Sequence, residues 1–165
     1  MSPSCYGSDC SYWGPQKAYD LNLRSFRSLA IVQYSTYPHM QFDFNATRTD
    51  ITAVRITARA DCCLDQSQNL NVYLSSTTKF WDPVSGLTSA GAMLCSAGVR
   101  FNLVGQTASV LCPVNTPARF LTVVMNGTNY LSLQEVTALY DGKPGSPGLV
   151  IAGGLDWSRR HGRAW

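Results

Sequence analysis

From Met40 onward the chain alternates apolar and polar positions in short runs. In Ile51 to Ala58, Val54 and Ile56 fall on one side and Arg55 and Thr57 on the other, the period of two that a half-buried strand requires. Gln41 to Phe44, Leu70 to Leu74, Ser109 to Cys112 and Phe120 to Met125 read the same way, and Tyr130 to Tyr140 is the longest such run. Asp82-Pro83, Ser85-Gly86, Cys112-Pro113 and Asn126-Gly127 separate them as turns, each supplying a residue suited to a reversal. No stretch carries an apolar stripe at helical spacing with a cap. Short strands divided by turns predict an all-β antiparallel sandwich or barrel, not a βαβ array.

The two ends read differently. Residues 1 to 28 are rich in Ser, Tyr, Gly and Asp without a lasting period, which predicts loop and short turns around Ala18 to Asn22. After Tyr140, Asp141 to Gly148 reads as a linker; its glycine spacing is too brief for a collagen helix. A chain of 165 residues suits one domain. We place it at 11–141, after an N-terminal segment 1–10 and before a linker and disordered tail over 142–165.

Charge excludes some partners. Charged residues make up 14% and the formal charge is +3, with Arg159, Arg160 and Arg163 gathered only at the end of the chain. A nucleic-acid surface needs a denser basic stripe, so no nucleic-acid partner is expected. No segment is long enough to span a membrane, and the opening Met1 to Cys5 has no apolar run that reads as a signal peptide.

Six cysteines form an even set, and Asn45-Ala46-Thr47 and Asn126-Gly127-Thr128 are glycosylation sequons; together they predict an oxidising, extracellular or cell-surface compartment. Cys95 and Cys112 bracket a loop that ends at a proline turn, and their bridge would stabilise the fold by about 3 kcal/mol through chain closure. Cys5 and Cys10 could close a small loop on each other. Cys62 and Cys63 are adjacent, and a trans peptide holds neighbouring Cα atoms about 3.8 Å apart, below the usual disulfide span. A bridge between them would present a rigid apolar sulfur surface on a loop; equally, each could bridge elsewhere or both could be reduced, because spacing does not fix connectivity. No Cys-x-x-Cys and only two histidines, His39 and His161, leave little for a zinc site.

Glu135 is the sole glutamate and stands in an otherwise apolar or neutral run. By itself it reads as a solvent-facing strand residue; partly buried, it would need a partner such as calcium, with Asp20 and the Asn22 amide as further oxygen ligands. The catalytic inventory is poor. There is no nucleophile elbow, no phosphate-cradling glycine loop and no carboxylate pair that stands out, so no enzyme is expected.

Arg59-Ala60-Asp61-Cys62-Cys63, preceded by Ile51 to Ile56, followed by Asn69-Leu70-Asn71-Val72-Tyr73-Leu74 and closed by Tyr130 to Val136, resembles the F-type lectins (fucolectins). Lys17 to Asn22 is similar to that family's Ala-x-Asp-Gly-Asn loop, and Pro38 to Phe44 to its Pro-Trp-Trp-x-Val-Asp-Leu strand. The resemblance spans Ser11 to Tyr140 and implies the antiparallel jelly-roll β-sandwich of the galactose-binding-like, discoidin-like superfamily. It also implies a calcium-stabilised module that binds glycans or glycoproteins, for fucose or a related sugar.

Under this resemblance Asp20, Asn22 and Glu135 become calcium ligands, with backbone carbonyls of Lys17 and Gln134 beside them. Arg59 and Asp61 match the sugar-binding motif, and Cys62 and Cys63 would form the vicinal bridge that lies against the sugar. Gln66 stands where the family has a second basic residue, and the family's histidine falls at Ile31 to Gln33, since His39 belongs to the following strand. Gln33, Gln66 or nearby tyrosines would have to supply those contacts. Gln134 and Leu21 depart from a usual Cys and Gly. A chain that kept the fold without the sugar site would serve instead as an adhesion or structural module.

Overall fold

The computed structural model describes residues 29–77, 91–140 and 149–150. Nine strands lie within these residues: β1 (Ala30–Thr36), β2 (His39–Arg48), β3 (Ile51–Ala58), β4 (Leu70–Ser75), β5 (Ala92–Val99), β6 (Thr107–Leu111), β7 (Ala118–Met125), β8 (Thr128–Tyr140) and β9 (Leu149–Val150). One sheet has the order β1-β8-β3-β6 with β9 added to β8, the other β2-β7-β4-β5, and every pairing is antiparallel. The expected all-β sandwich is therefore the observed one. Among the described residues no helix is long and apolar enough to cross a membrane.

Alternation explains the core. Phe42, Val54, Ile56, Leu74, Leu121 and Leu133 point between the sheets and are fully buried, each contributing roughly 2 kcal/mol by leaving water. Arg55, between Val54 and Ile56, is exposed. Thr57 shares the outward face of Arg55 as expected but is buried there, its hydroxyl meeting that of Thr107 on β6 at 2.8 Å. Three strands escaped the sequence pattern, β1, β5 and the two-residue β9, and the single-turn 3-10 helix Leu64–Ser67 joins the loop after β3 to β4. The domain end expected at residue 141 is followed by one further pairing, since β9 sits against Ala138 and Leu139; the other residues of the tail lie outside the described residues, as do Cys5 and Cys10.

β8 contains the feature that most affects function. Thr57 pairs with Glu135 while Ala58 pairs with Leu133, so Gln134 is an extra residue in the ladder, a β-bulge that re-aims its neighbours. Leu131 and Leu133 face the core before it, Val136 and Ala138 after it. The phase thus slips by one, and Gln134 and Glu135 both leave the core face yet stay buried, Glu135 at 5% exposure. The expectation of a solvent-facing Glu135 is corrected: the side chain lies off the core face and is buried all the same.

The Cys95–Cys112 disulfide ties β5, at the edge of one sheet, to the residue after β6, at the edge of the other. Its cross-link contributes about 3 kcal/mol in the chain-closure account.

Candidate functional site

The site forms where β3 ends. Ala58 closes the strand and Arg59 to Cys63 leave it as a loop, which returns through the turn Leu64–Ser67 toward β4. Cys62 and Cys63 are bonded to each other. Cys63 sits in the left-handed region at φ 56°, a conformation that costs a non-glycine residue about 1–2 kcal/mol, and its carbonyl accepts from Gln66 N at 2.9 Å to open the turn. Cys63 is exposed and Cys62 half-buried, so the disulfide borders solvent.

A closed circuit of hydrogen bonds fixes the loop to β8. Arg59 N donates to Ser67 Oγ at 3.2 Å, and Ser67 Oγ donates to the Ser132 carbonyl at 2.6 Å. Ser132 Oγ donates to Gln66 Oε1 at 2.8 Å, and the same oxygen accepts from Arg59 Nη1 at 3.2 Å. Ser67 is fully buried, so its hydroxyl would be costly to leave unpaired. On the other flank Gly105 N donates to Arg59 O at 2.9 Å. Gly105 has φ +70°, a left-handed conformation that favours glycine.

Arg59 and Asp61 form a two-pronged pair: Nε donates to Oδ1 at 2.6 Å and Nη2 to Oδ2 at 3.0 Å. The Arg59 side chain is 13% exposed and that of Asp61 43%. Hydrogen bonding from Arg59 foremost holds the Asp61 carboxyl below the usual carboxylate range, against a smaller opposing effect of burial. A guanidinium carries five N–H donors, of which three serve Asp61 and Gln66 among the described residues.

The sequence placed the family's histidine at Ile31 to Gln33. Ile31 and Val32 are buried and paired with Ser132 and Leu131, and the register then shifts before Ser35 pairs with Asn129. Gln33 and Tyr34 therefore share the position opposite Tyr130. Both are exposed, Tyr34 at 55%, and the Tyr34 and Tyr130 rings meet edge to face with centroids 5.4 Å apart. Tyr130 precedes Ser132 by two residues, so both lie on one face of β8, the face whose Ser132 hydroxyl meets Gln66. His39 is half-buried on β2 opposite Val124, its Nδ1 3.4 Å from Tyr37 O, and burial foremost pushes its pKa down. It takes no part in the site.

The structure thus brings together Arg59, Asp61, Cys62, Cys63 and Gln66, and adds Ser67, Gly105, Ser132 and the two tyrosines, which the linear pattern did not single out. Of the calcium set, Gln134 and Glu135 are buried side by side on β8; Lys17, Asp20 and Asn22 lie outside the described residues. Among the described residues no three His, Cys, Asp or Glu side chains cluster to hold a metal. A buried carboxylate beside backbone carbonyls does fit in donor type the oxygen ligands that calcium takes.

No family model matches this sequence, and no curated protein matches it either. Solved structures do. An F-lectin (fucolectin) from striped bass (Morone saxatilis) serum superposes with TM-score 0.64 at 21% identity, over 80% of this chain and 45% of that one. The lectin domain of lectinolysin, complexed with Lewis B antigen, gives 0.59 at 18% identity over 76% and 83%. A Clostridium perfringens module, CpGH89CBM32-5, in complex with GalNAc-β-1,3-galactose, gives 0.54 at 11% identity over 73% and 79%. This chain therefore spans under half of the bass lectin chain and most of the other two. It has the F-type lectin, discoidin-like fold.

Proposed function

We propose that this chain, a sandwich of the F-type lectin fold, is a non-catalytic carbohydrate-binding module of an extracellular or cell-surface protein. The observation that carries the reading is Arg59: anchored by Asp61 and Gln66, it has two further N–H donors that meet no described residue, and the loop that bears it carries the Cys62–Cys63 disulfide. Charged donors held in place hydrogen-bond sugar hydroxyls, and Asp61, more exposed than its partner, accepts from them. Disulfide sulfur at the solvent border and half-exposed tyrosine rings offer the apolar area against which the C–H face of a sugar packs. The solved relatives with glycans bound support this assignment.

Gln66 supplies no second cation, and Gln33 and Tyr34 stand where a histidine would add another donor. The site therefore relies on one cation and on apolar contact, and fucose is one ligand among several that fit. Glu135 and Gln134 would be the β8 part of a structural calcium site whose ion would neutralise the buried carboxylate; its binding would hold the loops that frame Arg59.

A glycan array probed in calcium with the wild-type chain and with Arg59→Ala tests the reading. Binding to a defined set of glycans that disappears in Arg59→Ala is expected. Absence of binding to every glycan by the folded wild-type chain overturns it.

A further inference from the structure

Both sequons fall at sites that tolerate a large attachment. Asn45 lies in a long bulge of β2, between Asp43 opposite Phe120 and Arg48 opposite Ala118, and β2 is an outer strand of its sheet. Asn126 opens the turn between β7 and β8, with Gly127 at φ +147°. Both asparagines are exposed, and among the described residues neither side-chain amide makes a hydrogen bond. The asparagines nearest Asn126 differ in this respect. Asn69 donates its amide to the Asn126 carbonyl, Asn71 uses its own toward Tyr73 and Gly98, and Asn129 donates to Asp65. None of these three is followed by the x-Ser/Thr pattern.

We propose that Asn126 and Asn45 carry N-linked glycans, and that the one on Asn126 forms a wall of the Arg59 site and limits which ligands reach it. Asn126 N donates to Asn69 O at 2.9 Å, and Asn69 follows by two residues the Ser67 hydroxyl that holds Arg59 N. The turn bearing Asn126 is also two residues from Asn129, whose amide meets Asp65, next to Gln66. A glycan is bulky and hydrophilic, so a chain rooted there borders the site on the β7–β8 side and leaves the Leu103–Val104 side open; Leu103 is 69% exposed. The glycan on Asn45 would cover the outer edge of β2, a position at which open strands invite pairing with other chains.

In the transfer, Nδ2 of the asparagine bonds to C1 of an oligosaccharide supplied by a lipid pyrophosphate donor of the secretory pathway. The C1–O bond to pyrophosphate breaks, the lipid pyrophosphate leaves with the electron pair, and the amide loses one proton. The effect on ligand access rests on the carbohydrate-binding reading; the modification itself does not.

Expression of the full chain through a eukaryotic secretory pathway, with intact-mass measurement before and after peptide N-glycosidase, gives the first readout. Two glycans are expected, one absent from Asn126→Gln and the other from Asn45→Gln, with peptide mapping of residues 120–130 placing the first. Thr128→Ala, which removes the sequon and keeps the asparagine, serves if Asn126→Gln folds poorly. An unmodified Asn126 in the secreted wild-type chain overturns the proposal. The second readout is the glycan array repeated after enzymatic deglycosylation: a wider set of bound glycans and a several-fold gain are expected, matched by Asn126→Gln and not by Asn45→Gln. An unchanged pattern overturns the wall. A glycosylated chain that binds nothing in either state sinks the carbohydrate-binding reading while the modification stands.

Discussion

Gln66 Oε1 accepts from both Arg59 Nη1 and Ser132 Oγ, so one amide oxygen couples the loop after β3 to the bulged strand β8. The residue in the place of a second cation thus positions the first one. Gln66→Ala removes the shared acceptor and leaves a half-buried guanidinium donor and a buried hydroxyl without it. A loss of about 1–2 kcal/mol in denaturant unfolding is expected, with glycan binding weakened because Arg59 gains freedom. An unchanged midpoint together with unchanged binding would show that the coupling has no energetic weight.

Three aspartates share one electrostatic arrangement. Hydrogen bonding from Arg119, Arg48 and Arg59 foremost lowers the pKa values of Asp43, Asp50 and Asp61 respectively. A folded-state pKa below the unfolded value gives stability that is fully present above the unfolded carboxylate pKa and lost as pH falls through the folded one. Stability and binding are therefore expected to be flat in these groups from neutral pH to about pH 5 and to decline below about pH 4. Thermal melts against pH check this, with Asp61→Asn expected to flatten part of the decline.

Tyr34 and Tyr130 separate binding from stability. Tyr34 is 55% exposed and meets Tyr130 edge to face, so Tyr34→Ala should change unfolding free energy by about 0.5 kcal/mol or less. Loss of an aromatic contact to a sugar, at roughly 0.5–1.5 kcal/mol, lowers affinity about 2- to 12-fold. Calorimetric titration with a glycan selected on the array measures it; an affinity equal to wild type removes the tyrosines from the site.

The two disulfides should differ in kind. The Cys95–Cys112 bridge closes a loop of 17 residues' separation, and its replacement by two serines should cost about 3 kcal/mol. The Cys62–Cys63 bridge joins neighbours and closes almost no chain, so its double-serine variant should retain most of the stability and lose glycan binding. The reverse pattern in unfolding and array experiments would assign the vicinal bridge a structural role.

How much of this was legible in the sequence depends on how far each feature is from regular pairing. β3 and β4 were readable because apolar residues alternate between turns, and β7 and β8 because their apolar-rich runs are bounded by turns. β1 was not: Ala30, Ile31 and Val32 are buried in succession and the shift before Ser35 breaks the period. β5 hides its pattern by being an edge strand with small residues, Gly98 at positive φ and exposed Met93 and Leu94. The run Arg59 to Cys63 was visible as a contiguous motif. The Gln66–Ser132 and Tyr34–Tyr130 contacts were not, because residues 66 and 96 positions apart meet through a 3-10 turn in one case and a register shift in the other, neither of which alternation encodes. The bulge at Gln134 belongs to the same class: it takes Glu135 off the core face that Leu131 and Leu133 share, and the burial of Glu135 there was not legible either.

That buried carboxylate yields the last prediction. Glu135 is 5% exposed on the central strand of its sheet, and an ionised carboxylate leaves water at a cost of several kcal/mol unless a cation or hydrogen bonds offset it. Calcium bound at about 100 times its dissociation constant would stabilise the fold by roughly 3 kcal/mol, equivalent to a melting shift on the order of 10 °C for a domain of this size. Chelation should thus lower the melting temperature of the wild-type chain by that order, and calcium should restore it. Glu135→Gln keeps the size and removes the charge, so its melting temperature should start lower and respond little to chelator. A wild-type chain that melts at one temperature with and without chelator sinks the calcium assignment, and the charge at Glu135 would then be met by protein groups alone.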